Sequence, residues 1–297
     1  MTTTPVRDDV AVRVRGLTKR YAEKVAVDGV DLDVRRGEVL ALLGPNGAGK
    51  TTVVEMLEGY RRRDRGEVSV LGQDPGHADR RWRSRIGIVL QSSADNAELT
   101  VVELVRHFAG FYPAPRDPDQ VIAWVGLEAK RGTRTRALSG GQRRRLDVAL
   151  GVIGNPELLL LDEPTTGFDP EARRAFWALI TALRADGTTI VLTTHYLDEA
   201  ERLADRLAVI SSGRLVEVAR PADLGGRHQR DATVVWTDEG GRHEIRTATP
   251  TGTVAGLSTK FSGEVPGLQV LRPTLEDVYL SLISRTASTQ TDDGDPR

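Results

Sequence analysis

The octapeptide GPNGAGKT, Gly44 to Thr51, is the feature that most constrains the fold of this chain. It follows EVLALLG, an apolar run typical of a buried parallel strand, and it precedes KTTVVEMLEGY, which has a helical pattern. A glycine-rich loop between a buried strand and a helix is the setting in which the P-loop pattern binds phosphate. The sequence therefore predicts a nucleotide-binding α/β domain. The predicted phosphate-binding residues are Gly44, Pro45, Asn46, Gly47, Ala48, Gly49, Lys50, Thr51 and Thr52.

Each residue type in this loop has a chemical role. Glycines let the backbone curl so that its N–H groups point inward, Lys50 can reach the β- and γ-phosphates, and the Thr51 hydroxyl can bind Mg²⁺. Eight matched positions in the right setting make a plain glycine-rich turn the weaker interpretation.

Two acidic residues, Asp162 and Glu163, end the apolar run ELLLLDEP. Carboxylates at the end of a buried strand are costly unless they are used, and two are rarer than one. Asp162 is the candidate for the Mg²⁺ shell, and Glu163 is the candidate general base for a water that attacks the γ-phosphate. Proton transfer of that kind contributes about 10²- to 10⁴-fold to a rate.

Three further polar or aromatic residues stand at strand ends, and the residues alone leave their roles open. His195 ends the run TTIVLTTH, where a histidine is more often structural than catalytic. Gln91 ends IGIVLQ, and its amide could reach a metal ion or its water or simply lie at the surface. Tyr21 could stack on an adenine or cover the edge of a sheet.

A second candidate anion site is LSGGQ, which precedes a helical run. A small polar turn at a helix start offers free N–H groups and a partial positive charge. The candidate binding residues are Ser139, Gly140, Gly141 and Gln142. Arg143–Arg145 follow, and we interpret them as a solvated or ion-paired helix face, since 41 basic and 42 acidic residues leave a net charge of −1. Nucleic acid is therefore not an expected partner.

Buried strands that alternate with helices predict a parallel α/β sheet. We expect a flexible N-terminus over residues 1–9, a main domain over 10–220 with a helical insert at about 92–155, and a small α+β accessory domain over 221–284. In the accessory domain we expect a hairpin turning at Gly240 and Gly241, then a strand and a helix capped by Thr274 and Asp277. The polar tail, 285–297, is predicted to be disordered.

The chain has no cysteine, so disulfides and thiolate metal sites are excluded. It has no window of eighteen apolar residues, and its first residues, MTTTPVRDDV, lack the pattern of a signal peptide. These features predict a soluble protein that stays in the cytoplasm.

Taken together, the motifs resemble those of a known family. GPNGAGKTT, LQ at Gln91, LSGGQ, LLLLDEPTTGFDP and TTH occur in the order and approximate spacing of the ATP-binding subunits of ABC transporters, over residues 10–220. LSGGQ before the acidic strand is the most specific of them, because other P-loop ATPases lack it. The resemblance implies a P-loop NTPase core of the ABC ATPase type, an ATPase activity, and ATP and Mg²⁺ as cofactors.

The resemblance also implies roles for single residues. Tyr21 would stack on adenine, Gln91 would belong to the flexible Q-loop and reach the metal, and Glu163 would be the catalytic carboxylate. Asp169 would be the acid of the D-loop, and His195 the switch histidine that contacts the γ-phosphate. Phe168 departs from the family, which more often has leucine there.

The second anion site is explained by the same resemblance. In the proteins that this chain resembles, two ATPase domains pair head to tail, and Ser139, Gly140 and Gly141 of one chain would bind the γ-phosphate of ATP held by the other. One copy of each motif therefore implies a homodimer that works with separate integral membrane permease subunits, on the inner face of the cell membrane.

The C-terminal segment favours export. RPTLEDVYLSL and HYLDEAERLADRLAVISSGRL resemble the bacterial drug-export ATPases of the daunorubicin-resistance kind, which implies a hydrophobic drug-like, lipid or polysaccharide cargo.

The alternative is a soluble ABC ATPase or a regulator without a transport partner. Chromosome-maintenance relatives would need long heptads, and translation-associated ones usually carry two cassettes. An iron–sulfur assembly cassette would not carry the accessory domain, and a non-hydrolysing sensor would be expected to have lost Glu163 or His195.

Overall fold

The computed structural model describes residues 9–89 and 98–292. The chain divides into two compact units, Met1–Val218 and Ala219–Arg297. Gln91 lies outside the described residues, and so do residues 1–8 and 293–297. Within the described ranges, no helix combines the length and the apolar character needed to span a membrane.

Among the described residues of the first unit and its boundary, nine strands and seven α-helices are defined. The strands are β1 (Val10–Tyr21), β2 (Lys24–Arg35), β3 (Val39–Leu43), β4 (Arg65–Val70), β5 (Ile86–Val89), β6 (Leu158–Asp162), β7 (Thr189–Thr194), β8 (Arg206–Ser211) and β9 (Arg214–Ala219). The helices are α1 (Lys50–Leu57), α2 (Arg80–Arg83), α3 (Val101–Ala109), α4 (Pro118–Trp124), α5 (Gly140–Val152), α6 (Pro170–Ala185) and α7 (Leu197–Leu203).

The central sheet has the strand order β5-β6-β7-β3-β8-β9. The pairs β5/β6, β6/β7, β7/β3 and β3/β8 are parallel. Every residue of β3, β6 and β7 is buried, which is why these strands are continuous apolar or β-branched runs in the sequence. Strand β7 lies between β6 and β3, so the carboxyl ends of all three are neighbours. The predicted α/β fold is confirmed, and three adjacent strand ends deliver the P-loop, the acidic pair and His195.

A smaller antiparallel sheet has the order β2-β1-β4. Val12, Val14 and Leu17 of β1 are buried, and they share one core with α1 and with residues of the central sheet. Tyr21 is the last residue of β1 and pairs with Lys24 at the turn into β2. This sheet therefore brings an aromatic side chain to the region of α1.

Helices α3, α4 and α5 lie between β5 and β6, within the predicted helical insert. Two of them begin with a capping box. Thr100 and Glu103 exchange hydrogen bonds at the start of α3, and Ser139 and Gln142 do so at the start of α5. The polar turn of LSGGQ is thus fixed as a helix N-terminus.

The second unit contains β10 (Ala232–Asp238), β11 (Gly241–Thr247), α8 (Pro250–Lys260), β12 (Gln269–Leu271) and α9 (Leu275–Asp292), with the strand order β11-β10-β12. The hairpin turns at 239–240, and Thr274 and Asp277 form the reciprocal cap of α9. Helix α8 has no counterpart in the sequence-based expectation. Helix α9 runs to Asp292, into the segment for which disorder was expected, because 275–292 contains neither glycine nor proline to end it.

Candidate active site

The P-loop follows β3 and leads directly into α1, and its glycines are required by close backbone approaches. A Cβ atom on Gly44 would lie 2.3 Å from the carbonyl oxygen of Ile210. A Cβ atom on Gly49 would lie 2.4 Å from the carbonyl oxygen of Ala26, and Gly49 has a φ of 104°. Since no larger residue fits either position, the loop keeps its backbone curled around the N-terminus of α1.

Lys50, the first residue of α1, is only 5% exposed. Its Nζ donates to the carbonyl oxygens of Gly44 and Pro45 at 2.9 and 3.2 Å, and it lies 3.7 Å from Oε1 of Glu163. Burial lowers the pKa of Lys50, whereas the charges of Glu163 and Asp162 act in the opposite direction. The ammonium group is therefore buried beneath the loop, close to the carboxylates of Glu163 and Asp162. A bound phosphate can take over from these carboxylates as the negative charge that faces Lys50.

Asp162 is buried at the end of β6 and accepts two hydroxyl hydrogen bonds on the same oxygen, Oδ1. Thr51 Oγ1 donates at 3.3 Å, and Thr193 Oγ1 makes a short hydrogen bond. A hydroxyl from α1 and a carboxylate from β6 thus converge, and oxygen donors of these types suit Mg²⁺. The pair Thr51 and Asp162 fits the predicted metal site.

Glu163 has a left-handed backbone, with a φ of 45°. Its N–H donates to the carbonyl oxygen and to Oγ1 of Thr193, at 3.2 and 3.0 Å. A non-glycine residue in this region costs free energy, and such strain concentrates at functional sites. The Glu163 side chain, 14% exposed, has Lys50 on one side and His195 on the other.

His195 follows β7, and its Nδ1 lies 3.4 Å from Oε2 of Glu163. The ring is 36% exposed and packs at a tilt against Tyr196, with 4.1 Å between centroids. The guanidinium of Arg173 lies 4.8 Å from the centroid of the Tyr196 ring. The structure thus brings Lys50, Glu163 and His195 together, as the sequence predicts.

A cavity of about 400 Å³ opens over the P-loop. Tyr21, 38% exposed, lines it together with the phosphate loop and Glu163. The lining residues are Tyr21, Lys24, Ala26, Asn46, Gly47, Gly49, Lys50, Thr51, Thr52 and Glu163. Tyr21 and the P-loop therefore face one cavity.

Ser139 and Gly140 are exposed at the start of α5, and none of the residues Ser139–Gln142 lines this cavity. The Ser139 hydroxyl accepts from the N–H of Gln142 at 3.3 Å, and Gln142 Oε1 accepts from the N–H of Ser139 at 3.1 Å. The start of α5 is therefore a formed helix N-terminus that does not reach the same chain's P-loop cavity.

Arg144 is a residue whose role the sequence analysis missed. Its guanidinium is buried and donates to the carbonyl oxygens of Asp162, Glu163 and Pro164, at 2.7, 3.2 and 3.1 Å. Burial lowers its pKa, against the charges of Asp147, Asp162 and Glu163. The expected helix face was solvated or ion-paired; Arg144 is instead buried, because the turn after β6 presents inward carbonyls that need donors. A run of three arginines gave no sign of which one is buried.

The neighbours of Arg144 also donate to backbone carbonyls. Arg143 donates to the carbonyl of Thr135 at 2.8 Å, and Arg145 donates to that of Gly126 at 3.0 Å. All three arginines thus tie the start of α5 to surrounding loops.

Glu199, on α7, is a second missed residue and is fully buried. Burial raises its pKa, and the Thr194 and Thr165 hydroxyls and the Trp177 indole oppose that rise. Thr194 precedes His195, so this carboxyl group lies behind the active site. The sequence contains one indication that Glu199 is buried, because Glu199 and the buried Leu203 are four residues apart on one helical face.

Asp169 caps α6 by accepting from the N–H of Ala172 at 2.7 Å. Phe168 is buried and packs edge to face on Phe176, with 6.1 Å between the ring centroids. The phenylalanine at this position is therefore accommodated by an aromatic partner on α6.

Comparison with known proteins agrees with this geometry. Residues 27–166 match the family model of the ABC transporter. The chain is 45% identical over 218 residues to a Nod factor export ATP-binding protein I of Ralstonia nicotianae, over 71% of this chain and 67% of that protein. It is 38% identical over 304 residues to a daunorubicin resistance ATP-binding protein of Streptomyces coeruleorubidus, over 92% of this chain and 96% of that protein.

A solved structure has the same fold. It is a dimeric ATP-binding cassette in a post-hydrolysis state with bound ADP and phosphate. It superposes with a TM-score of 0.65 at 24% sequence identity, over 70% of this chain and 98% of that one. The strand-end site, the family match and the two export relatives lead to one conclusion: the chain belongs to the ABC transporter family, as one of its ATP-hydrolysing ATP-binding subunits.

Proposed function

We propose that this chain drives export through separate membrane subunits, by binding ATP between two copies of itself and hydrolysing it. One observation carries the proposal: the Glu163 carboxylate is held between Lys50 and His195 over the P-loop, at 3.7 and 3.4 Å. Each residue supplies a different part of phosphoryl transfer to water.

Lys50 binds the β- and γ-phosphates, because it is the one buried cation among the described residues that line the cavity. Glu163 accepts the proton of the attacking water. His195, which is more exposed than Glu163, contacts the γ-phosphate from the solvent side of the site. When bound, Mg²⁺ would be held by Thr51 and Asp162 and would neutralise phosphate charge. Gln91, which lies outside the described residues, is proposed as a further ligand by resemblance alone.

Tyr21 stacks on the adenine in this proposal. Its ring lines the same cavity as the P-loop and is partly exposed there. Aromatic stacking on a base is worth about 1–3 kcal/mol. The site therefore binds the phosphates through the loop and the base through the end of β1.

The exposed start of α5 binds the nucleotide of the second copy. The first N–H groups of an α-helix have no intrahelical acceptor, and those of Gly140 and Gly141 belong to this group. A few charge-assisted hydrogen bonds of about 1.5 to 3 kcal/mol each give weak binding alone but can close a dimer that is loaded with ATP. The dimeric cassette of the same fold, which holds ADP and phosphate, supports this arrangement.

An aromatic surface at the end of α3 is proposed to receive the membrane subunit. Phe111 is 66% exposed and lies edge to face against Phe108 and His107, with ring centroids 5.9 and 5.0 Å apart. The neighbouring Tyr112 does not extend this surface, because its ring packs over Gly154, where a Cβ atom would lie 2.4 Å from it. Phe111 is therefore the exposed anchor, and Tyr112 packs inward.

Export is favoured by the named activities of the relatives, Nod factor export and daunorubicin resistance. The proposed cargo is a hydrophobic drug-like, lipid or polysaccharide molecule, and the proposed location is the cytoplasmic face of the cell membrane.

The test is to express the chain with and without its membrane partner and to measure cosedimentation with membranes and phosphate release. Partner-dependent sedimentation with faster hydrolysis is expected. Hydrolysis that stays unchanged, with no sedimentation, would favour an ATPase without a transport partner.

A further inference from the structure

The turn that follows α1, residues 58–64, closes over the end of β1. Asp64 joins the two segments three times: its N–H donates to the carbonyl of Thr18 at 2.9 Å, and its carboxylate accepts from the N–H of Arg20 at 2.7 Å and from Lys19 Nζ at 2.8 Å. The hydrogen bonds from Lys19 and Arg20 lower the pKa of Asp64, so the carboxylate stays ionised. The strand end that carries Tyr21 is thus fastened to the turn.

Arg61 in the same turn covers the Tyr21 ring. Its guanidinium carbon lies 5.1 Å from the centroid of that ring and 5.9 Å from the centroid of Tyr60. Lys19 Nζ lies 5.6 Å from the Tyr21 centroid. Cations at these distances are attracted to an aromatic face.

Arg61 is itself held by Glu55, on α1. Two guanidinium nitrogens donate to the two Glu55 carboxylate oxygens, and the Arg61 N–H donates to the Glu55 carbonyl at 2.9 Å. A bidentate pair fixes the plane of a guanidinium as well as its position. The arginine that contacts Tyr21 is therefore anchored to the helix that begins at the P-loop.

This chain of contacts has a consequence for nucleotide binding. A partly exposed tyrosine that must stop rotating when a base stacks on it loses entropy at that moment. A ring that is already fixed by a cation avoids much of this cost. The connection from α1 through Glu55 and Arg61 also ties the ring position to the helix whose N-terminus receives the phosphates.

We propose that Arg61 is a positioning residue for the nucleotide base, which holds the Tyr21 ring in place so that adenine can stack on it. The inference rests on the proposed stacking role of Tyr21. It assigns base recognition to two segments, the end of β1 and the turn after α1.

The experiment compares two ligands, ATP and inorganic tripolyphosphate, which shares the phosphates but has no base. Arg61→Met keeps the aliphatic stem and removes the cation. It is expected to weaken ATP binding about two- to fivefold, as a cation–π contact at a partly exposed site implies, and to leave tripolyphosphate affinity and kcat unchanged. Arg62→Met is the matched control: Arg62 is exposed in the same turn, makes no hydrogen bond or ion pair with the described residues, and should change neither affinity.

Two more variants separate the inference from its premise. Tyr21→Ala should weaken ATP binding and spare tripolyphosphate, and in that background Arg61→Met should have no further effect on ATP. If Tyr21→Ala lowers the ATP preference while Arg61→Met does not, Arg61 has no positioning role and the stacking role of Tyr21 stands. If Tyr21→Ala leaves the preference unchanged, the premise itself fails.

Three further outcomes would overturn the role of Arg61. Equal losses for ATP and tripolyphosphate would mean that Arg61 only supports the fold of the loop. Tighter ATP binding by Arg61→Met would mean that the cation obstructs the ring. Additive losses in the double variant would mean that Arg61 acts on the nucleotide without Tyr21. Glu55→Gln, which keeps Arg61 but weakens its anchor, should reproduce a smaller ATP-specific loss even if Arg61→Met does not fold.

Discussion

Nδ1 of His195 lies 3.4 Å from Oε2 of Glu163, although the two residues are separated by an entire helix and strand. They meet because β6 and β7 are adjacent and parallel. The other oxygen of the same carboxylate faces Lys50 Nζ at 3.7 Å. Glu163 thus lies between a phosphate-binding cation and an exposed imidazole, where it can reach a water beside the γ-phosphate.

Glu163→Gln should retain ATP and lose turnover by at least about 10²-fold, because the amide keeps the shape of the side chain and cannot accept the proton. Wild-type protein should hydrolyse Mg-ATP slowly by itself. Phosphate release and equilibrium nucleotide binding are the two measurements. Lys50→Ala is the contrasting variant and should weaken nucleotide binding itself. Full hydrolysis by Glu163→Gln would remove Glu163 from its role as base.

The motif residues could be assigned to the site from the sequence alone, because their spacing is typical of a particular local structure. The glycines of the P-loop are needed where the backbone passes 2.3 to 2.4 Å from a would-be Cβ atom, and the leucines before Asp162 are needed because β6 is buried on both faces. The required residues lie within a few positions of one another and so leave a pattern in the chain, although the carbonyls that crowd Gly44 and Gly49 belong to Ile210 and Ala26. The closeness of the three strand ends follows from the parallel sheet, because adjacent parallel strands end at the same edge.

Arg144 and Glu199 could not be placed in this way, because each lies in a run of charged residues that forms no comparable motif, and most of the groups around them are distant in sequence. The carbonyls that Arg144 satisfies lie 18 to 20 positions along the chain. Glu199 belongs to a charged helical segment in which only its spacing from Leu203 marks it as buried. Tertiary packing, and not local pattern, decides which charged residue of such a run is buried.

Arg144→Met should lower the free energy of unfolding by about 2–4 kcal/mol. The substitution keeps much of the buried volume but leaves three backbone carbonyls without their charged donor, and hydrogen bonds to charged groups are worth about 1.5 to 3 kcal/mol each. Turnover should fall as well, because two of those carbonyls belong to Asp162 and Glu163. Urea denaturation gives the stability, and Arg143→Met, at a half-buried position in the same run, should cost less. Equal losses for the two variants would contradict the special place of Arg144.

Glu58 should make stability depend on pH. Burial, with the nearby charges of Glu55 and Asp162, raises the pKa of Glu58 from 4.5 to about 7. The folded state therefore binds this proton more tightly than the unfolded state, so the contribution of Glu58 to stability is fully present below about pH 4.5 and is lost as the pH rises through about 7. In nucleotide-free protein without Mg²⁺, Glu58→Gln should be more stable than wild type at pH 8, by about 1–2 kcal/mol after solvent screening, and close to it at pH 5. A difference independent of pH would show that Glu58 is ionised throughout.

Phe111→Ala should uncouple transport from hydrolysis without loss of folding, because the side chain is 66% exposed and contributes little to the core. The expected result is normal hydrolysis by the isolated chain and weaker cosedimentation with membranes that contain the partner. Tyr112→Ala is the comparison, and it should reduce stability instead, since its ring packs over Gly154. Unchanged cosedimentation of Phe111→Ala would place the docking surface elsewhere.

Ser139→Arg should prevent closure of the ATP-loaded dimer while leaving nucleotide binding by the monomer nearly intact. Ser139 is exposed, heads α5 and does not line its own chain's nucleotide cavity, so a bulky cation there leaves that cavity untouched. The Glu163→Gln background is suitable because it should accumulate the ATP-bound dimer. Each closed dimer contains two such half-sites, so a loss of about 1.4 kcal/mol at each gives roughly a hundredfold in the dimerisation constant if they are independent. Sedimentation should show Glu163→Gln shifting from monomer to dimer with Mg-ATP and the double variant remaining monomeric.

Ser139→Arg also removes the cap of α5, which by itself costs about 0.5 to 2 kcal/mol of stability. Ser139→Asp separates the two effects, because aspartate keeps the cap and places a negative charge against the neighbour's γ-phosphate. Both variants should stay monomeric in the Glu163→Gln background, whereas Ser139→Thr, which keeps hydroxyl and cap, should still dimerise. If Ser139→Asp dimerises with ATP as readily as the parent, α5 begins with an ordinary helix cap and the second anion site does not exist.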